Sequence, residues 1–444
     1  MALFLSLKDL QKTIPNQQVD GIELRIEYFD DSQLVAIKSW IEKPSSQIII
    51  AWKLPFDQEA IEKILDLSPS YIDVDYNCTF NYDELMRKYS HVKWIVSHHD
   101  FEKTPSCLIS KYQEMRSRWP LATYIKIAAM ANSTVDSLRM IELSQNSCDV
   151  IAICMGELGK ITRLLAPVFN MPISYTCLKG EEVAAGQINV EELHETYFYD
   201  KINSETQLFG LIGNPVSFSP SHITHNRYFR SSNWNALYVK MEFTTEEIEE
   251  ALSRLDKIGF LGLSVTMPHK KEVRKYLETK EDVVNTIRFG KIREGINTDG
   301  IGAASLVEEL IDLKGAKVLV LGAGSTAESI AKAFLKKGAN VSIWNRSLDR
   351  LNSLVNKLGC NQYSQGEFDV VVQSTSVGFG DSENSSIDFS QFISKKSVAF
   401  EVVSSKRDTP FIIQAKLKGC HLIYGMELFE RQAQLQFHFW KQIN

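Results

Sequence analysis

Over the first 200 residues, short apolar runs alternate with longer stretches that are apolar at three- and four-residue intervals. The short runs read as strands and the longer, 3.6-periodic stretches as amphipathic helices. Eight runs qualify as strands: Ala2–Leu7, Gly21–Tyr28, Ile48–Lys53, Tyr71–Tyr76, Val92–His99, Thr123–Met130, Val150–Met155 and Ile173–Leu178. Between them, Glu59–Leu67, Asp83–Ser90, Cys107–Arg118 and Ser133–Gln145 carry the helical period. Strict alternation of strand and helix implies a parallel sheet, since parallel neighbours need a crossover connection. Eight such units predict a (β/α)8 TIM barrel, with its chemistry at the C-terminal ends of the strands.

The pattern changes after a polar junction, Tyr197–Gln207, where a new strand runs from Leu208 to Gly213. From Lys317 the order becomes strand Val318–Leu321, the turn Gly322-Ala323-Gly324-Ser325-Thr326-Ala327, a helix closed by Gly338, and strand Asn340–Trp344. That is the opening of a doubly wound Rossmann unit. The chain is therefore α/β throughout, with expected domains at 1–205, 206–304 and 305–424 and a C-terminal helix, 425–444, packing back on the middle one.

Length supports this division, because 444 residues exceed one ordinary domain. A net charge of −6 invites neither nucleic acid nor an anionic membrane surface. No apolar run approaches the roughly 20 residues of a membrane span, and the N-terminus lacks signal or transit character. The seven cysteines are odd in number and contain no CxxC, so they read as reduced thiols of a cytoplasmic protein. No metal site is expected, since the nine histidines never fall at HExxH spacing and the adjacent His98 and His99 point to opposite faces of a strand.

Chemistry-bearing residues collect at the strand ends. Lys126 sits inside the apolar run Tyr124–Met130, where an ammonium group is costly unless paired or deprotonated. A neutral lysine attacks carbonyl carbon to give an imine. The competing reading is a strand-end lysine whose head reaches solvent; the preceding strand, which delivers His99 as an acid/base, weighs against it. Glu23 and Arg25 share one face of strand two, Lys53 ends strand three, and Asp73 and Asp75 lie on strand four. Arg163 follows strand seven and Gln187 strand eight. Lysine and arginine around a candidate imine lysine suit an anionic keto substrate, although a rim ion-pair network would explain Glu23 and Arg25 equally well.

Taken in order, Glu-x-Arg, Ser-x-His-Asp-Phe, Lys-Ile-Ala, Thr-Arg-Leu and the Gly-Gln end resemble type I 3-dehydroquinate dehydratase over nearly the whole first half. The resemblance implies that Lys126 forms a Schiff base with the C3 ketone of 3-dehydroquinate and that His99 is the general base and then acid. Asp75 stands where the family usually has a glutamate orienting that histidine. Glu23, Arg25, Arg163 and Gln187 fall at substrate-binding positions, as does Lys53, which replaces an arginine; Val183 stands where a hydroxyl is common.

In the second half, Ser219 and Ser221 follow Asn214-Pro215 before a helix, and serve a polyol or carboxylate as readily as they cap the helix. Leu263-Ser-Val-Thr266-Met-Pro-His-Lys270 is a strand and a proline-fixed turn presenting a lysine, followed by Asn285 and by Asn297-Thr298-Asp299-Gly300. GxGxxA between a strand and a helix lets backbone amides approach a pyrophosphate. The next strand ends in Asn345-Arg346-Ser347, with Arg350 one turn on. An arginine rather than an acid there favours NADP, the competing reading being a helix-start arginine facing water.

This half resembles shikimate dehydrogenase throughout. The resemblance implies Lys270 and Asp299 as the catalytic pair, and Ser219, Ser221, Thr266, Asn285 and Gln432 as substrate contacts, with Gly425 at the cofactor. Departures are Ser264 and Gln373 in place of asparagines and Ser404 in place of a tyrosine. The product of the first reaction, 3-dehydroshikimate, is the substrate of the second, so together the two resemblances imply a bifunctional enzyme. Quinate specificity in the second half, or a catalytically dead metabolite sensor, are the alternatives; all four catalytic residues are present, which disfavours the sensor.

Overall fold

The computed structural model describes residues 1–9, 19–26, 34–41, 47–52, 57–78, 80–378, 387–405 and 407–442. Contacts group the chain into two compact units, Met1–Leu261 and Gly262–Asn444.

The first unit opens with eight described strands: Ala2–Leu7 (β1), Gly21–Arg25 (β2), Gln47–Trp52 (β3), Tyr71–Asp75 (β4), Lys93–Asp100 (β5), Tyr124–Met130 (β6), Val150–Met155 (β7) and Ile173–Thr176 (β8). They form one parallel sheet in the order β7-β6-β5-β4-β3-β2-β1-β8, a near-closed barrel. Alternation along each strand separates two cores. Leu5, Ile22, Ile50, Val74, Val96, Ile127 and Ala152 face the surrounding helices. Phe4, Ile49, Tyr71, Ile95, Ile151, Ile173 and Tyr175 fill the interior. Period two therefore turns Glu23, Asp73, Ser97, His99 and Lys126 inward as well. Helices are stopped and started locally; Ser133 and Asp136, for example, form a reciprocal capping box at Thr134–Gln145.

Residues beyond the barrel belong to the same unit. Strands Gln207–Gly213 (β9) and Ala236–Glu242 (β10) pair in parallel. Thr134 Oγ1 donates to the Glu242 carbonyl at 2.5 Å, Arg254 pairs with Glu142 at 2.5 Å, and Gln145 Nε2 donates to the Ile258 carbonyl at 3.4 Å. These contacts place 206–261 with the barrel, a grouping different from the division at 205 expected from the sequence.

The chain enters the second unit within Phe260–Val265 (β11). Thr286–Arg288 (β12) pairs antiparallel with β11 and with Glu294–Ile296 (β13). Lys317–Leu321 (β14), Asn340–Trp344 (β15), Asn361–Gln362 (β16), Val370–Gln373 (β17), Val398–Glu401 (β18) and His421–Ile423 (β19) form a parallel sheet ordered β16-β15-β14-β17-β18-β19. Chain order reverses between β14 and β17, the switch point at which such sheets bind ligands. The C-terminal helix Gly425–Lys441 packs along helix Thr298–Glu308. Its Trp440 is fully buried against Gly262 and donates Nε1–H to the Ile287 carbonyl at 2.9 Å. Among the described residues, no helix is long and apolar enough to cross a membrane.

Candidate active sites

At the C-terminal end of the barrel lies a cavity of about 200 Å3. Glu23, Arg25, His99, Lys126, Arg163 and Gln187 line it. Lys126, only 6% exposed, donates to Asp73 Oδ2 at 2.8 Å, lies 3.7 Å from Glu23 Oε1 and sits 4.2 Å over the Tyr175 ring. Burial pulls its pKa down, but the charges of Asp73, Tyr175 and Glu23 outweigh burial and the net shift is upward. Of the two ways to bury this amine, pairing or loss of its proton, the structure shows pairing. The interior supplies counter-charges that favour the ammonium form.

Glu23 is anchored in turn. Ser6 Oγ donates to Glu23 Oε2 at 2.5 Å, and Gln187 Nε2 donates to Ser6 Oγ at 3.2 Å. Gln187 Oε1 accepts the Val183 and Ala184 amides at 2.8 and 3.3 Å, which folds the 183–187 turn over the barrel mouth. That turn needs glycine: Gly186 has φ +77°, and a Cβ there would lie 2.2 Å from the Gly156 carbonyl oxygen. Arg163 is 4% exposed, its Nε has no partner among the described residues, and burial lowers its pKa despite the Glu23 charge. An anionic ligand would satisfy this guanidinium. His99 stacks on Phe101, whereas His98 faces Tyr76 outside the barrel, as strand alternation requires.

The second unit holds another cluster. Lys270 Nζ donates to Asp299 Oδ2 at 2.5 Å and to Thr326 Oγ1 at 3.3 Å. Asn285 Nδ2 donates to Asp299 Oδ1 at 2.7 Å and to Thr298 Oγ1 at 2.8 Å. Asn297 caps the helix that carries Asp299, accepting from the Asp299 and Gly300 amides. A lysine held against a carboxylate that is 1% exposed, itself held by an amide, is a pre-set proton donor. Nearby, Gly322 has φ +119° and Gly324 faces open space, so backbone can meet a diphosphate at the start of helix Ser325–Lys336. Gly324, Ser325 and Arg350 line a cavity of about 490 Å3 together with Lys271 and Lys357.

Residues 6–204 match the type I 3-dehydroquinase family, 211–288 the shikimate dehydrogenase substrate binding domain, and 304–377 the shikimate / quinate 5-dehydrogenase family. The shikimate biosynthesis protein AroDE of Chlamydia muridarum is 31% identical over 426 residues, covering 91% of this chain and 84% of that protein. The chain belongs to the AroDE family. It is a bifunctional dehydroquinate dehydratase/shikimate dehydrogenase, and its second half uses a nicotinamide cofactor. The chloroplastic bifunctional 3-dehydroquinate dehydratase/shikimate dehydrogenase of Arabidopsis thaliana is 26% identical, with 95% of this chain and 77% of that protein aligned. A shikimate 5-dehydrogenase structure from Thermus thermophilus, in complex with NADP(H) and shikimate, superposes with a TM-score of 0.50 at 27% identity, covering 54% of this chain and 94% of that one.

The residues expected from the sequence fall into three groups in the enzyme. Lys126, His99, Glu23, Arg25, Arg163 and Gln187 share the barrel cavity, and Val183 lines it too. Lys270, Asp299, Asn285 and Thr326 share one network. Ser219 and Ser221 share a hydrogen bond of 2.7 Å in the first unit. Thr266 lies at the end of β11 and accepts the His269 amide through its carbonyl, while Gln432 and Gly425 lie on the C-terminal helix. Asp75, expected to orient His99, lies at the end of β4. It accepts the Asn77 amide at 2.6 Å and is not among the cavity-lining residues, while Asp73, two residues earlier, holds the lysine. Asn345, Arg346 and Ser347 form an exposed turn apart from the cavity that Arg350 lines, with Asn345 Nδ2 donating to the Ser347 carbonyl. Lys53 lies outside the described residues. Ser264, replacing an asparagine, donates to Gln436 Oε1 at 2.8 Å and ties the C-terminal helix down.

Proposed function

We propose that dehydration runs through an imine on Lys126. Asp73 accepts the ammonium proton as the amine attacks the C3 ketone of 3-dehydroquinate, and loss of water leaves an iminium. His99 removes a C2 proton, then returns it to the C1 hydroxyl, which departs as water; hydrolysis of the iminium frees Lys126 and 3-dehydroshikimate. Arg163 and Arg25 bind the substrate's anionic and hydroxyl groups, with Gln187 and Glu23 fixing the opposite wall and Lys53 adding a point charge. The buried Lys126–Asp73 pair, set in a cavity where Arg163 Nε has no partner among the described residues, is the observation that carries this reading.

In the second half, Lys270 delivers a proton to the oxygen formed from the C3 carbonyl, and Asp299, held by Asn285, keeps it aimed. Ser219, Ser221, Thr266 and Gln432 bind the substrate. NADPH, which would supply the hydride, would be held by Gly322–Ala327 at its diphosphate and by Arg350, with Arg346 and the Asn345–Ser347 turn, at its 2′-phosphate. Open space at Gly324 and the adjoining cavity that Arg350 lines support that fit. We assign 1–205 to the dehydratase, 206–304 with 425–444 to the substrate domain and 305–424 to the nucleotide domain of a cytoplasmic, shikimate-forming enzyme; the family matches at 6–204, 211–288 and 304–377 support the first two boundaries. A coupled assay tests the whole reading. Supplied with 3-dehydroquinate and NADPH alone, the enzyme should oxidise NADPH and accumulate shikimate; no oxidation, or equal use of NADH, would overturn it.

A further inference from the structure

Glu401 is absent from both catalytic sets, yet it is one of the most deeply committed carboxylates in the chain. It ends β18, is 1% exposed, and lies in register with Gln373, the fully buried last residue of β17. Its Oε2 accepts the Thr409 hydroxyl at 2.5 Å. Its Oε1 accepts the Val403 amide at 2.8 Å and the Gln373 side-chain amide at 3.5 Å. Gln373 passes the connection on: its Nε2 donates to the Val377 carbonyl at 3.0 Å and its Oε1 accepts the Thr375 amide at 2.6 Å. One carboxylate therefore ties together the 374–378 turn, the 402–404 turn and the cap of helix Pro410–Lys418.

Those segments border the dinucleotide site from one side. Sheet order puts β15, with Arg346 and Arg350 beyond it, on one flank of the glycine turn, and β17 and β18 on the other. A dinucleotide whose ribose phosphate lies beyond β15 must extend its nicotinamide half over the ends of β17 and β18. The glycine turn packs closely on the β17/β18 flank: a Cβ on Gly322 would lie 2.8 Å from the Ser374 carbonyl oxygen, and within that flank one on Gly378 would lie 2.7 Å from Thr409 Cγ2. A Cβ on Gly425, expected at the cofactor, would lie 2.1 Å from the Val403 carbonyl oxygen.

We propose that Glu401 is a positioning residue for the nicotinamide half of the cofactor, fixing the 374–378 and 402–404 turns through Gln373, Thr409 and Val403. Burial pushes its carboxyl up to about 7, only partly offset by those hydrogen bonds. Ionising it in this setting therefore costs folding stability, which fits a group retained for function rather than stability. The inference rests on the cofactor placement proposed above.

Glu401→Met keeps the volume and removes both acceptors; Thr409→Val removes one donor and keeps the shape. Steady-state reduction of 3-dehydroshikimate would be measured with NADPH and with NADH, alongside dehydratase activity as an internal control. Glu401→Met should raise KM for both cofactors by the same factor, about tenfold or more, and Thr409→Val by a smaller common factor. kcat and the KM for 3-dehydroshikimate should change little. A fold defect would instead lower kcat in step with the folded fraction, and that result overturns the proposal, as does an unchanged KM or a rise confined to NADPH. If Glu401→Met fails to fold, Thr409→Val decides on the same criteria. Failure of the wild-type chain to use either cofactor would instead overturn the cofactor placement itself.

Discussion

Asp73→Asn isolates the charge that holds the barrel lysine. Lys126 has two carboxylates, Asp73 at 2.8 Å and Glu23 at 3.7 Å, in a site where the Asp73 side chain has no exposure. Breaking a buried pair by removing one partner costs about 3–5 kcal/mol, because the survivor stays buried and undercompensated. A lysine can shed that cost by losing its proton, and each pKa unit corresponds to about 1.4 kcal/mol. The lysine pKa should therefore fall by about two to four units at the upper bound, and by at least about one once Glu23 relaxes toward it. The sign for stability follows from the wild-type shift, which lies above the ordinary 10.5. The pair stabilises the fold fully at neutral pH and loses that contribution only as the amine deprotonates, so the variant should be less stable at pH 7. Borohydride inactivation in the presence of 3-dehydroquinate, measured across the neutral and alkaline range, reads the amine directly. The wild-type rate should keep climbing with pH, whereas the variant should level off earlier, at a lower plateau for want of its proton acceptor. Coincident profiles would refute the claim that Asp73 controls this lysine.

The two catalytic sets should act independently: Lys126→Ala abolishes dehydration and spares reduction of added 3-dehydroshikimate, and Lys270→Ala does the reverse, as product analysis would show. Arg350→Ala together with Arg346→Ala should raise KM for NADPH at least about tenfold with little change for NADH, and the single Arg350 change should account for most of it, since Arg350 lines the cavity. Gly262→Ala places a Cβ 2.3 Å from the Trp440 ring nitrogen and should destabilise the second unit by about 1–3 kcal/mol in urea unfolding, with the dehydratase unaffected.

The architecture was legible because periodicity reports it directly. The alternation of strands and helices implied a barrel with its chemistry at the strand ends, and the barrel cavity is lined by Glu23, His99 and Lys126. What one sequence could not supply was register. Asp73 and Asp75 point the same way from β4, and only the pairing of Asp73 with Ile95 and Asp75 with Ser97 sets their depths. Asp73 reaches the lysine, while Asp75 ends at the rim and turns back to its own backbone. Register also hid Ser6, whose small hydroxyl accepts from Gln187, 181 residues away in the chain, and donates to Glu23. The sign of the Lys126 shift was out of reach for the same reason: burial was readable, but its counter-charges were not. Glu401 gave no sequence signal at all, since a glutamate ending an apolar run reads as a solvated strand end until its partners are known.

The claim that Lys126 is the nucleophile has the most direct test. The enzyme would be reduced with borohydride in the presence of 3-dehydroquinate, digested and mapped by mass spectrometry. The account predicts loss of dehydratase activity, retention of the dehydrogenase, and one ligand-derived mass increment on the peptide carrying Lys126. An adduct on another lysine, or complete inactivation with no adduct, would contradict it.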